Sequence, residues 1–272
     1  MNVTKIQSSK GWSGLELAQI WEYRELILLL AWRDISSRYK QTILGLLWAI
    51  AQPLCSVVVL TVVLGRMVKV PSDGIAYSLF SFAGVICWQY IATVASASTA
   101  SISASSQLVT KVFFPRLVLP ISIVIPGLLD FAISLVLLLL CMPFYHASLT
   151  MAACWLPLFV LLLIVTALAV SCWFSGLAIA FHDMRHVFPL LMQFWMFSSP
   201  IFYPSSMVPQ EWQLLYSLNP MSSILDGIRY CLLSAPQPPL SHLAISTISA
   251  LLLLTSGAFF FKRLSRVIAD LI

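Results

Sequence analysis

Long apolar runs separated by short polar stretches dominate the chain from residue 43 onward. A helix needs roughly 20 apolar residues to cross the hydrocarbon core of a bilayer. Six runs meet or approach this length, and they predict spans at about 43–64, 76–104, 117–142, 152–181, 187–203 and 240–261. The pattern therefore predicts an all-α integral membrane protein with six transmembrane helices.

Two segments depart from this pattern. Residues 13–39 mix charged and apolar side chains, which predicts an N-terminal amphipathic helix lying in the membrane interface. Residues 204–235 are apolar enough to enter the membrane, but Pro209 and Pro220 divide them into pieces too short to cross it. This region predicts either short re-entrant helices on the outer side or a surface loop that acts as a lid.

The basic residues predict the orientation, because loops rich in Lys and Arg remain cytoplasmic. Of the 15 basic residues, all but Arg66, Lys69 and Arg229 fall on one side of the predicted spans. Both termini are therefore predicted to be cytoplasmic. The predicted organisation is a cytoplasmic N-terminus with the interface helix (1–42), a transmembrane domain (43–261) and a cytoplasmic tail (262–272).

Composition excludes several classes of protein. The chain is 60% hydrophobic and 9% charged, whereas a soluble domain is about 25% charged. The net charge of +5 comes mostly from residues that flank apolar runs, so no nucleic-acid partner is predicted. The six cysteines form no C-x-x-C pair and lie mostly in apolar runs, so we predict neither a metal site nor disulfides.

Motifs for nucleotide binding and catalysis are missing from the sequence. It contains no G-x-x-x-x-G-K-[ST], H-E-x-x-H or G-x-S-x-G. We therefore predict no catalytic residue and no cofactor in this chain. The cluster His182-Asp-Met-Arg-His186, between spans four and five, is typical of a tight charged turn, with acid/base chemistry as the alternative.

Polar residues inside the predicted spans are candidates for function. Asp130 is the only carboxylate deep within a span, and it predicts either a transport role or a hydrogen bond that supports packing. Residues 92–106 are almost all Ala, Ser or Thr, which favours close helix packing and also allows a polar strip along a wet path.

Aromatic residues are candidates for a sugar path, because sugars stack on aromatic faces. Interfacial belts also collect Trp and Tyr, so position alone leaves both interpretations open. The candidates are Trp48, Trp88, Tyr90, Phe194, Trp195, Phe197 and Tyr203.

The predicted cytoplasmic turn between spans two and three carries two bulky apolar residues, Phe113 and Phe114. Lipid cannot cover them there, so we expect a protein partner to do so. The flanking Lys111 and Arg116 suit an acidic groove or anionic headgroups.

Several stretches, in this order, resemble the ABC-2 type polysaccharide exporter permeases, above all the O-antigen and lipopolysaccharide subgroup. The stretches are Tyr39–Trp48 followed by Gln52-Pro53, Pro71–Gly74 with Tyr77, Lys111–Arg116 with Pro120, Ser199–Pro204, and Leu218–Met221. The resemblance covers about residues 30 to 235.

This resemblance implies a homodimer bound to two copies of a separate ATPase, which would carry the ATP and Mg. The implied substrate is a long glycan on undecaprenyl diphosphate, moved outward across the bacterial inner membrane, with its headgroup entering near Tyr39 and Lys40. The implied coupling helix comprises Lys111, Val112, Phe113, Phe114, Pro115 and Arg116. A second, smaller ATPase contact is implied at His182, Asp183 and Arg185, where this sequence departs from the usual family pattern.

Other functions remain open from the sequence. Within the family, the substrate could be a capsular polysaccharide, a teichoic acid or a small molecule. A membrane enzyme of lipid-linked sugar metabolism would need clustered acids or histidines at one face, and only residues 182–186 offer this. A secondary transporter would need inverted repeats and paired intramembrane charges.

Overall fold

The computed structural model describes residues 17–40, 45–104, 114–181 and 183–265. Within these ranges the chain consists of helices and connecting turns, without a strand, which confirms the all-α prediction. The helices are α1 (Leu17–Glu22), α2 (Arg24–Lys40), α3 (Gly45–Leu60), α4 (Tyr77–Ala104), α5 (Val118–Cys141), α6 (Leu156–Ala180), α7 (Met184–Phe197), α8 (Gln210–Tyr216), α9 (Pro220–Leu233) and α10 (Leu240–Ser265). A π-helical segment, Thr61–Met67, extends α3.

Five helical segments of the described chain are long and apolar enough to cross a membrane. They are Ala49–Met67, Tyr77–Ala100, Val118–Tyr145, Met151–Ala180 and Leu240–Ser265. The segment predicted as span five contains α7, which has 14 residues and ends at Phe197. A helix of this length rises about 21 Å, less than a hydrocarbon core of about 30 Å, so a sixth span stays a prediction.

Helix α4 lies at the centre of the molecule, in contact with α3, α5, α6, α7 and α9. The most apolar part of α4 is 83% buried. The corresponding part of the segment that includes α3 is only 11% buried. Buried small residues such as Ala95 and Ser98 let neighbouring helices approach α4 closely. Ser98 donates a hydrogen bond to Ser171 of α6 at 2.8 Å. The described part of the segment 92–106, which is rich in Ala, Ser and Thr, therefore supports close helix packing.

Helix α2 packs against the first half of α5. Leu30 belongs to a buried cluster with Phe114 and Val118, and Arg38, near the end of α2, contacts Asp130. Helix α5 rises about 18 Å between Val118 and Asp130, so the two helices run alongside one another over this length. The amphipathic helix is thus covered on one side by protein, and its position in the membrane interface stays a prediction.

The turn between α8 and α9 is held against α10. Ser246 and Ser249 of α10 donate hydrogen bonds to the backbone carbonyls of Ser217 and Leu218, each at 2.7 Å. Ser249 lies nine residues into α10, about 13 Å along its axis. Two short helices are therefore present in the region predicted to be re-entrant. The turn between them contacts α10 up to about 13 Å from the first residue of that helix. Their depth in the bilayer stays a prediction.

Arg229 ties α9 to α4. Its side chain is 1% exposed, and its guanidinium carbon lies 3.5 Å from the centroid of the Phe80 ring. Its Nη2 donates to the backbone carbonyl of Ile201 at 3.1 Å, and its Nη1 lies 3.9 Å from Asp226 Oδ1. The charge pattern places Arg229 among the three basic residues outside the predicted cytoplasmic side. The fold buries it between two helices.

We predict that Arg229→Ala destabilises the protein by about 3 kcal/mol, because it removes a buried side chain that donates to the Ile201 carbonyl and leaves the space over Phe80 unfilled. The measurement is the thermal unfolding midpoint of the purified chain in detergent. Arg66→Ala is the matched control, because Arg66 is exposed. Equal midpoints for the two variants would contradict a structural role for Arg229.

Candidate functional site

A polar cleft lies where α2, α3, α4 and α5 meet. Its volume is about 180 Å³. The cleft combines hydroxyl, amide and charged side chains at a place surrounded by apolar helices. Its polar lining comprises Arg38, Tyr39, Gln52, Gln89, Tyr90, Thr93, Asp130 and Ser134.

Helix α2 brings two partners to Asp130. Arg38 Nη1 lies 2.9 Å from Asp130 Oδ2, and the Tyr39 hydroxyl donates to Asp130 Oδ1 at 2.5 Å. The sequence pattern indicates no partner for Asp130 within the spans, whereas the structure provides two. These partners lie 92 and 91 residues earlier, in a segment predicted to lie on the membrane surface. Of the two interpretations of Asp130, the observed contacts favour hydrogen bonding that supports packing.

Tyr39 is a neutral hydrogen-bond donor at this site. Burial raises the pKa of Tyr39 to about 12, and the hydrogen bond to Asp130 and the negative charge of that residue act in the same direction. The phenol therefore keeps its proton throughout the physiological range. As a result, Tyr39 donates to the Asp130 side chain and is not a candidate base.

Helices α3 and α4 provide further hydrogen-bonding groups. Pro53 lies inside α3 and lacks an N–H, so the carbonyl of Ala49, which also lines the cleft, loses its usual helical donor. The hydroxyl of Tyr90 is buried and has no hydrogen-bond partner among the described residues. The cleft is thus lined by a residue whose carbonyl lacks its usual helical donor, Ala49, and by a hydroxyl without a partner among the described residues, that of Tyr90.

The charges in the cleft determine which kind of ligand it can bind. Arg38 and Asp130 form an ion pair whose side chains are 38% and 30% exposed, so neither presents a full unbalanced charge. Neutral amides and hydroxyls make up most of the remaining polar lining. Such an array suits a ligand rich in hydroxyl groups better than a diphosphate. No group of three or more His, Cys, Asp or Glu residues that could hold a metal occurs in the described ranges.

The structure separates the predicted aromatic residues into several places. Tyr39 and Tyr90 line the cleft. Trp88 packs edge-on against Trp195, with ring centroids 5.6 Å apart, and Trp195 donates to Asn219 at 3.0 Å. These two tryptophans therefore support the packing of α4, α7 and α9. Their role in a sugar path stays a prediction.

Three further aromatic candidates lie on or after α7. Phe194 and Phe197 are exposed on that helix, and Tyr203 donates to the Phe197 carbonyl at 3.1 Å. The side chains of Trp48 and Lys40 lie outside what the structure describes. The aromatic residues therefore do not form one continuous track within the described chain.

Among the coupling candidates, Phe114 is buried within its own chain. It is 5% exposed, in a cluster with Ile27, Leu30 and Val118. The expectation that a protein partner must cover it is wrong, because α2 of the same chain does so. Arg116 lies at the adjacent turn, where burial lowers its pKa, and Pro115 is half-buried beside it.

The other coupling candidates are only partly visible. Lys111, Val112, Phe113 and His182 lie outside the described residues, as does the side chain of Arg185. Asp183 and His186 are exposed at the start of α7. Their coupling role stays a prediction.

The apolar helices, the membrane-length segments and the polar cleft among them define a multi-pass helical membrane protein. Comparison with known families makes the class more specific. Residues 25–233 match the model of the ABC-2 type transporter family, and the chain belongs to this family. Its members are permease subunits of transporters, and the family implies an ABC ATPase partner.

The chain is also similar to individual curated proteins. It is 29% identical to the O-antigen export system permease protein RfbA of Myxococcus xanthus, over 90% of this chain and 95% of that protein. It is 25% identical to RfbA of Klebsiella pneumoniae, over 91% of this chain and 95% of that protein. It is 25% identical to the polysialic acid transport protein KpsM of Escherichia coli, over 71% of this chain and 76% of that protein.

We predict that Asp130→Leu loosens α2, because it removes the acceptor for Tyr39 and the ion pair with Arg38 together. A partly exposed ion pair contributes about 1 kcal/mol and a hydrogen bond to a carboxylate at least as much, so amide exchange in residues 24–40 should accelerate about tenfold or more. Asp130→Asn keeps an acceptor for Tyr39 and should give a smaller change, about fivefold at most. Hydrogen–deuterium exchange with mass spectrometry measures both.

Asp34→Asn is the control for this experiment, because Asp34 lies on α2 and pairs with the adjacent Arg33. It should leave exchange in residues 24–40 within about twofold of the parent. If Asp130→Leu and Asp34→Asn behaved alike, Asp130 would have no part in holding α2.

Proposed function

We propose that this chain is the permease subunit of an ATP-driven exporter of polysaccharide carried on undecaprenyl diphosphate, with O-antigen as the cargo. The observation that carries the proposal is the similarity to O-antigen export permeases over nearly the full length of both chains. The similarity to KpsM covers less of either chain, so a capsular polysaccharide is the second candidate.

The proposed assembly contains two copies of this chain and two copies of a separate ATPase, which binds ATP and Mg. It resides in the bacterial inner membrane with the termini of this chain in the cytoplasm. The exposed apolar faces of α3 and α7 support an interface between the two copies, because these helices are covered little by their own chain. Val58, Val59, Leu190, Leu191 and Phe194 are exposed on them.

The cleft is the proposed contact point for the glycan near the cytoplasmic side. The Ala49 carbonyl, which lacks its usual helical donor, and the Tyr90 hydroxyl, which has no partner among the described residues, suit the donors and acceptors of sugar hydroxyls. Because the charge of Arg38 is balanced by Asp130, the cleft would bind sugar weakly and let the polymer move on. The family resemblance implies that the lipid headgroup enters near Tyr39. We propose that the cleft itself, next to Tyr39, contacts sugar.

The proposed transmission from the ATPase runs through α2. The turn that contains Phe114 packs on α2 through Leu30, and α2 carries Arg38 and Tyr39 into the cleft. A displacement of this turn by the ATPase would therefore move the cleft lining. Rigid-body movement of packed helices is a common way to link distant sites.

The proposal is tested in cells that lack this chain. We expect lipid-linked polymer to accumulate inside the cell and surface polysaccharide to disappear. Both are measured in one culture, by extraction of undecaprenyl-linked glycans and by labelling of the cell surface. The composition of the accumulated glycan distinguishes O-antigen from capsule. Normal surface glycan in a strain without a second permease would overturn the polysaccharide assignment and leave a small-molecule exporter.

We predict that Phe113→Asp abolishes export, at least tenfold below the parent, while the amount of folded chain stays unchanged. The reason is that an apolar side chain in an ATPase groove contributes about 2 kcal/mol, which a carboxylate loses. The measurement is surface glycan per unit of chain in the membrane fraction.

Two matched variants make this experiment specific. Phe144→Asp changes an 84% exposed phenylalanine beyond the far end of α5, and it should leave export near the parent value. Phe114→Asp places a charge in the buried cluster under α2, so it should lower the amount of folded chain. If Phe113→Asp exported normally, the coupling role of this turn would be wrong.

A further inference from the structure

A second concave surface lies between α6 and α10, two helices that do not line the cleft. Its volume is about 1100 Å³, larger than the roughly 300–1,000 Å³ of typical small-molecule pockets. It follows the exposed face of α10 from Ile245 to Arg263, a distance of about 27 Å. We refer to it as the α6/α10 groove.

Glycine and aromatic residues shape the half of this groove that is nearer to Lys262 and Arg263, which we call its inner half. Trp173 stacks on Phe260, with ring centroids 4.7 Å apart. A side chain at Gly257 would clash with Trp173, because its Cβ would lie 2.6 Å from the indole ring. The indole Nε1 donates to the Leu253 carbonyl at 3.1 Å, so the indole N–H is satisfied and the ring adds apolar surface.

The hydroxyl groups along the groove are also satisfied within α10. Thr255 donates to the Leu251 carbonyl and Ser256 to the Leu252 carbonyl, at 2.9 and 2.6 Å. Neither hydroxyl therefore demands a polar ligand, and the groove presents an apolar surface. Leu252 and Ile248 are exposed on it, at 63% and 58%.

Basic residues mark one end of the groove. Lys262 and Arg263 both line it, and Arg263 is exposed. They lie at the end of α10 that the charge pattern predicts to be cytoplasmic. From Leu252 to Arg263 the helix rises about 16 Å, close to half of a hydrocarbon core of about 30 Å. The inner half of the groove therefore matches one leaflet in length, with positive charge at the headgroup level.

We propose that the α6/α10 groove binds one anionic phospholipid of the cytoplasmic leaflet. Its acyl chains lie along Trp173, Leu252 and Phe260, and its phosphate is bound by Lys262 and Arg263. The positive end selects an anionic headgroup, and the concave apolar part holds the chains more firmly than a flat helix surface does. The site is separate from the sugar cleft and is not needed for the proposed export function, although its orientation follows the same charge pattern.

A phospholipid fits these features better than the two other occupants. A second copy of the chain would have to bring acidic residues to the exposed Arg263, yet the described helices carry few acidic residues. A lipid-linked glycan would need polar groups beside its headgroup, whereas the hydroxyls that line the groove already donate to backbone carbonyls and its lining has no amide side chain.

The test uses the purified full-length chain in a non-ionic detergent. It is titrated with phosphatidylglycerol or phosphatidylcholine of identical acyl chains, and bound lipid is counted by native mass spectrometry. We expect one phosphatidylglycerol per chain, bound about tenfold more tightly than phosphatidylcholine. The double variant Lys262→Gln, Arg263→Gln should lose this preference and still fold, because the helix end remains intact.

Two further variants separate the headgroup and acyl-chain contributions. Ser256→Trp fills the groove and should reduce binding of both lipids by about tenfold or more. Arg33→Gln changes an exposed arginine on α2 and should bind lipid as the parent does.

Three results would overturn the proposal. The first is equal binding of the two lipids by the parent. The second is unchanged phosphatidylglycerol binding in both the double glutamine variant and Ser256→Trp, which would show that the lipid lies elsewhere. The third is a competing occupant, seen either as dimer dissociation in Ser256→Trp or as displacement of phosphatidylglycerol by an equimolar polyprenyl diphosphate.

Discussion

Close packing around α4 is the constraint on which the rest of this structure depends. Lipid tails are as apolar as leucine, so membrane helices gain little by hiding apolar surface from one another. Association must come from close contact and from hydrogen bonds between helices. The small residues of α4 allow that contact, and Ser98 with Ser171 provides a buried hydrogen bond. The helices in contact with α4 take their positions from it.

Charged groups in the fold attach helices that are not among the five membrane-length segments. Asp130 of α5 holds the end of α2 through Arg38 and Tyr39. Arg229 of α9 is held against Phe80 of α4 and against the Ile201 carbonyl. A charge in an apolar environment needs partners, so each pairing fixes a peripheral helix in one place.

The two concave surfaces have opposite chemistry. The cleft under α2 is small, polar and nearly neutral in charge, as a weak site for hydroxyl groups would be. The α6/α10 groove is large and apolar and ends in basic residues, as a site for an anionic lipid would be. Phe114 connects the first of these surfaces to the turn at 111–116, because it packs on the same helix that lines the cleft. Transport and lipid binding can therefore be tested separately.

The sequence by itself determined the helical class, five of the spans and the family. Apolar runs of membrane length have few alternatives in lipid, because backbone hydrogen bonds must be satisfied within the helix. Only the tertiary structure decided which polar residues meet. Asp130 was recognised as exceptional, but its partners were not, because they lie in a distant segment with the composition of a surface helix. Phe114 and Arg229 read as exposed in their local sequence, and it is packing between helices, which no local pattern encodes, that buries them.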